Sequence, residues 1–136
     1  AAGYLEYGHV KLREQLGLLS GPVEEFQKSA EAEHNAMLSM LVDEGYLDAS
    51  ALEDELANEN EIIDALYRGL KGSPCKLMAA SIVDAVGEKR TQNQPGTSNE
   101  YPNWRIPLAD GDGNVVPLEQ LFDNTRLQEI AAIMCG

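Results

Sequence analysis

Between positions 23 and 41 the chain repeats an apolar stripe at steps of three or four residues: Val23, Phe26, Ala30, His34, Met37 and Leu41, with Leu38 alongside. Glu24, Glu25, Glu31 and Glu33 fall off that stripe, so the pattern predicts one long amphipathic helix. Ser20, Gly21 and Pro22 mark its start, proline being suited to a first turn. Gly45 marks its end, because glycine enters a left-handed cap at least cost. Ser50 and Glu53 form an S-x-x-E capping box that predicts a second helix through Leu52 and Leu56. Ile62, Ile63, Leu66, Tyr67 and Leu70 predict a third, closing at Gly72 and Pro74, and Val10, Leu12 and Leu16 a short one ahead of Gly17.

The pattern then changes. Residues 77–83 form a short apolar run bounded by Pro74 on one side and by Asp84 and Gly87 on the other, and its length favours a buried strand over a helix. A lone strand cannot satisfy its backbone hydrogen bonds, so either its partners come from outside these residues or the run is not a strand. Residues 91–103, rich in Gln, Asn, Ser, Gly and Pro, read as loop. A weaker helical turn follows Pro117, and a final helix covers 125–134. There is no internal repeat.

Length and charge narrow the classes. The 136 residues make one domain's worth of chain, with 43% hydrophobic and 24% charged residues, as in an ordinary globular fold. No apolar run approaches the roughly 18 to 20 residues that span a bilayer. The net charge of -13 would be repelled by phosphate backbones and anionic lipids, which argues against nucleic-acid and membrane partners. Thirteen acidic residues stand between Glu24 and Asp64 against the single Lys28, so nearly all of the net charge lies there. The chain divides accordingly into an acidic helical region, 1–72, and a nearly neutral Gly/Pro/Asn-rich region, 73–136. Cys75 and Cys135 form no CxxC pair, so neither a zinc knuckle nor a disulfide framework is expected, and a reducing, cytoplasmic setting is. The chain begins at Ala1 without a signal-peptide pattern or an initiator Met, which suggests a processed or truncated protein.

Several residue groups carry candidate chemistry. Asp110, Gly111, Asp112, Gly113 and Asn114 alternate like a calcium loop, yet Val115 stands where an EF-hand needs glycine and Leu121 where it needs glutamate. A tight turn between residues 106–108 and 115–116 is the expectation, and no metal site. His34 reads as a hydrogen-bonded core or boundary histidine without a second metal ligand at the right spacing, and His9 as either that or plain surface. The acidic run 24–64 is either the solvated face of a helical pair or a docking surface for a basic partner. Asp84 closes the apolar run, where it is either a functional carboxylate at the end of a strand or the cap of the next turn.

Asn93-Gln94-Pro95-Gly96-Thr97, followed by Tyr101-Pro102-Asn103-Trp104-Arg105, resembles the C-terminal signature of the 4-alpha-glucanotransferases, or amylomaltases, of glycoside hydrolase family 77. Ala2-Gly3-Tyr4-Leu5, with Lys11-Leu12-Arg13 after it, is similar to the family segment just downstream of its His-Asp-Leu-Pro-Pro motif. The resemblance covers nearly the whole chain and is weakest in the acidic helices 24–64.

The resemblance implies a mainly α piece of a larger (β/α)8 barrel. Region 1–72 would hold helices of the seventh repeat and added helices; region 73–136 would hold strand eight, the N-x-P-G-T substrate loop and the C-terminal helices. No catalytic residue would lie within the chain, the three carboxylates being expected upstream of Ala1. The implied chemistry is retaining transfer of α-1,4-glucan segments between maltodextrins, with no cofactor. Asn93 matches the family asparagine that contacts the donor sugar, and Asp84 would orient its loop. Trp104 would either stack on a sugar or fasten the loop together with Arg105. The implied partners are a maltooligosaccharide or starch-derived glucan and the rest of the parent enzyme. The isolated piece would self-associate through the face meant for the barrel. The competing reading is an acidic helical interaction module without catalytic activity, in which the two motifs are chance.

Overall fold

The computed structural model describes residues 2–136, and the side chains from Gly3 onward. Among the described residues seven α-helices and one 3₁₀ turn follow in order: α1 (Ala2–Leu5), α2 (Gly8–Gln15), α3 (Val23–Asp43), the 3₁₀ turn (Ala49–Glu53), α4 (Glu59–Gly72), α5 (Ile82–Val86), α6 (Leu118–Leu121) and α7 (Thr125–Cys135). The chain is thus mainly helical. Among the described residues the only β pairing is an isolated antiparallel bridge, Ala109 with Val115.

The long helix is α3, and the stripe read from the sequence is its inner face: Ala30, His34, Leu38 and Leu41 are buried. It ends as the glycine demands, with Gly45 at φ 76° and the Tyr46 N–H donating to the Leu41 carbonyl at 2.8 Å. One core cluster joins Leu5, Leu38, Leu41, Leu47, Ala51, Ile62 and Ala65, and so packs α1, α3, the 3₁₀ turn and α4 together. A second joins Ile63 and Tyr67 of α4 to Ala85 of α5 and Ile130 of α7. Arg126 ties α7 to α4, its Nη2 donating to Asp64 Oδ1 at 2.8 Å.

Two sequence expectations are corrected. The capping box at Ser50 does not open a helix through Leu56. Asp48 is the cap instead, accepting from the Ser50 N–H at 2.9 Å and from the Ser50 hydroxyl at 2.6 Å, and the turn ends as 3₁₀ at Glu53. Leu56 is left exposed.

Among the described residues the run 77–83 forms no strand. Residues 77–81 are irregular, α5 starts at Ile82, and Leu77 is 94% exposed. A strand exists only through its neighbours, and none of the described residues supplies one.

The Asp110 segment does form the expected tight turn: the Asp110 N–H donates to the Asn114 carbonyl at 2.9 Å and the Val116 N–H to the Leu108 carbonyl at 2.9 Å. His34 is the expected core histidine, 2% exposed, with Nε2 2.6 Å from Glu55 Oε2. His9 is half-buried and not plain surface, its ring stacked on Tyr4 with centroids 4.8 Å apart. Burial pushes its imidazole below the ordinary value, against the opposing pull of Glu33.

Candidate functional site

The loop that follows α5 is held by hydrogen bonds at alternate positions of its departing stem. Glu88 is buried and accepts from the Ala109 N–H at 3.0 Å. Arg90 Nη2 donates to the Pro107 carbonyl at 2.9 Å. The Trp104 N–H donates to the Gln92 carbonyl at 2.8 Å, and the Gln94 N–H to Asn103 Oδ1 at 2.7 Å. These four rungs, 88 with 109, 90 with 107, 92 with 104 and 94 with 103, climb towards the turn at 93–97.

The top rung knits the two sequence motifs together. Asn103 of N-W-R accepts from Gln94 of N-x-P-G-T through its carbonyl oxygen, and its Nδ2 donates to Thr97 Oγ1 at 2.9 Å. The Thr97 hydroxyl donates onward to the Gln94 carbonyl at 2.7 Å, closing the turn around Pro95 and Gly96. Gly96 has φ 90°, a conformation that L side chains rarely adopt. Tyr101 braces the stem from outside, its hydroxyl donating to the Thr91 carbonyl at 2.6 Å.

The residues singled out by sequence fall in different places. Asn93 is half-buried beside the turn. Its carbonyl accepts from the Thr91 hydroxyl at 2.9 Å, and its carboxamide makes no hydrogen bond to another described residue. Trp104 adopts φ 60°, a costly conformation for a bulky residue, with its main chain fixed on Gln92 and the residue as a whole 75% exposed. Asp84 sits in the first turn of α5, where its Oδ2 accepts from the Tyr67 hydroxyl at 2.7 Å, and that hydroxyl in turn accepts from the Ser81 N–H at 2.9 Å. Burial, with the Asp84 carboxylate acting the same way and the Ser81 N–H opposing, leaves the Tyr67 phenol pushed up to about 12.

A cleft of about 780 Å³ opens between α1, α2 and the loop stem, and Tyr4, His9, Arg90, Tyr101, Trp104 and Ile106 are among its walls. Trp104 joins this cleft, whereas Asn93 and Asp84 are not part of its lining. The two sides meet closely at Gly3: a Cβ there would lie 2.0 Å from the Lys89 carbonyl oxygen, so only glycine lets α1 touch the stem. Lys89 also pairs with Glu6 of the turn after α1. No group of three or more His, Cys, Asp or Glu among the described residues could hold a metal ion. Among the described residues no helix is long and apolar enough to cross a membrane.

Sequence reasoning missed Glu88 and Arg90. Their only sequence signal is an acid and a base two residues apart after Gly87, a spacing too common to be informative.

Residues 3–112 match the family model described as 4-alpha-glucanotransferase, glycoside hydrolase family 77. The chain belongs to the 4-alpha-glucanotransferase family. It is 46% identical over 130 residues to the 4-alpha-glucanotransferase of Mycobacterium tuberculosis, a match covering 96% of this chain and 17% of that protein. It is 29% identical over 122 residues to the 4-alpha-glucanotransferase of Haemophilus influenzae, covering 88% of this chain and 17% of that protein. The crystal structure of amylomaltase from Corynebacterium glutamicum superposes with a TM-score of 0.85 at 34% identity, over 98% of this chain and 20% of that one. The chain therefore spans a fifth or less of the length of these 4-alpha-glucanotransferase relatives.

Proposed function

We propose that this chain is the C-terminal part of a cytosolic 4-alpha-glucanotransferase, supplying donor-sugar contacts for transfer of α-1,4-glucan segments between maltodextrins. The observation that carries the reading is the joint between the motifs: Asn103 bonds Gln94 and Thr97, while the Asn93 carboxamide and the Trp104 indole keep their binding capacity unspent. A carboxamide both donates and accepts, which suits it to sugar hydroxyls, and an exposed indole offers a face for a pyranose ring.

In the reaction a carboxylate attacks the anomeric carbon while an acid protonates the leaving oxygen, giving a covalent glycosyl-enzyme. A hydroxyl of a second glucan then attacks with the former acid as base, so the configuration is retained and no cofactor takes part. The carboxylates belong to the rest of the parent enzyme, upstream of this chain. Asn93 would hold the donor sugar near the cleaved bond. Asp84, by fixing α5 to Tyr67, would orient the stem that leads to Asn93.

In the parent, 1–72 would be helices of the seventh repeat with added helices beside the barrel. Region 73–136 would bring strand eight, with the exposed run 77–81 paired between neighbouring strands, and then the loop and last helices. Exposed apolar residues, Leu77 with Trp104 and Phe122, would drive self-association of the isolated chain.

The test is disproportionation of maltotriose by the purified 136-residue chain beside its parent. The parent should yield glucose together with longer maltodextrins and the isolated chain neither. Both products from the isolated chain would overturn the placement of the carboxylates.

A further inference from the structure

We propose that Glu88 and Arg90 are positioning residues for glucan transfer, a clamp that sets the height and angle at which the 93–97 turn presents Asn93. The inference rests on the substrate-loop reading above.

One carboxylate spans both stems of the loop. Glu88 Oε1 accepts from the Arg90 N–H and Nε at 2.9 Å each, and Oε2 accepts from Arg90 Nη2 at 2.7 Å and the Ala109 N–H at 3.0 Å. Arg90 completes the clamp by reaching the Pro107 carbonyl. The departing stem, 88–90, is thereby fixed to the returning stem, 107–109, at the base of the ladder whose top rungs hold Trp104 and Asn103. Burial of a charged side chain is costly unless every lone pair finds a donor, and here four donors converge on one carboxylate. Cheaper apolar packing would close the stems without fixing their register. A forked, planar pair fixes it to within a hydrogen-bond length, as a loop that must place one carboxamide against a sugar requires. Neither residue bonds Asn93, so any effect on transfer passes through the loop.

The test is a double-mutant cycle in the full-length parent, reading kcat/KM for maltotriose with Glu88→Gln, Asn93→Ala and the two combined. Glutamine turns an NH₂ towards the Ala109 N–H or Arg90, setting donor against donor. Glu88→Gln should lower kcat/KM about tenfold in the native background and by less than about twofold when Asn93 is already alanine. A general loss of stability would lower both equally. Arg90→Lys, which keeps the charge and loses the fork, should repeat the pattern and serves should Glu88→Gln fail to fold. Equal losses in both backgrounds, or no loss with either variant, overturn the positioning role while leaving the loop assignment intact. If Asn93→Ala itself costs nothing, the substrate-loop reading falls and this inference with it.

Discussion

Asn103 Oδ1 lies 2.7 Å from the backbone nitrogen of Gln94, so a residue of the N-W-R element holds the turn formed by N-x-P-G-T. The two motifs are one structural unit. Asn103→Ala removes an acceptor for Gln94 and a donor to Thr97, and in the parent enzyme kcat/KM for maltotriose should fall about tenfold, with stability changed by about 1 kcal/mol. Asn103→Asp keeps the acceptor and should retain more activity. Steady-state kinetics with thermal melting checks both.

Gly3 is fixed by contact. Alanine there would drive its methyl into the Lys89 carbonyl, which is backbone and cannot swing aside. Gly3→Ala should destabilise the fold by about 1–3 kcal/mol, read as a lower urea midpoint, and should separate α1 from the loop stem.

Tyr67 links α4 to α5 through Asp84 and Ser81. Tyr67→Phe removes both hydrogen bonds and should cost about 1–3 kcal/mol. The raised phenol also sets a pH signature. A group whose pKa is higher in the fold than in the open chain gives stability that is complete below the open-chain value and is lost as pH rises through the folded one. That loss should run from about 10 up to about 12, and Tyr67→Phe should abolish it in alkaline denaturation.

Glu88 has the opposite sign. Burial pushes its carboxyl up, but the hydrogen bonds from Arg90 and from the Ala109 N–H outweigh that and hold it below the ordinary value. Its contribution is therefore present above the open-chain value near 4.3 and lost as pH falls through the lower folded one. Trp104, the chain's single tryptophan, reports on the clamped loop. Its emission should hold steady from neutrality down through the ordinary carboxylate range and change only below it, and the step should be missing in Glu88→Gln.

What could be read in advance depended on how local the determinant was. The stripe of α3 and the stop at Gly45 were legible because helix period and left-handed caps are written within a few residues. The turn at Asp110 was legible for the same reason. The run 77–83 was not decided by its own residues, because strand and exposed chain differ only in their neighbours, and in this chain Leu77 stays 94% exposed. The helix at Ser50 was misread because Asp48 competes for the same hydroxyl. The motifs pointed to Asn93 and Trp104, whereas the ladder beneath them rests on contacts between distant residues, as from Glu88 to the backbone of Ala109, and leaves no periodicity to find.

The most direct test of the central claim is transfer by the full-length parent carrying Asn93→Ala, followed as glucose and longer maltodextrins released from maltotriose. The account predicts a fall in kcat/KM of about 10- to 100-fold, the worth of a hydrogen bond to a sugar bearing transition-state charge, with the melting temperature unchanged. Unaltered kcat/KM in a folded variant would contradict it and remove Asn93 from the glucan site.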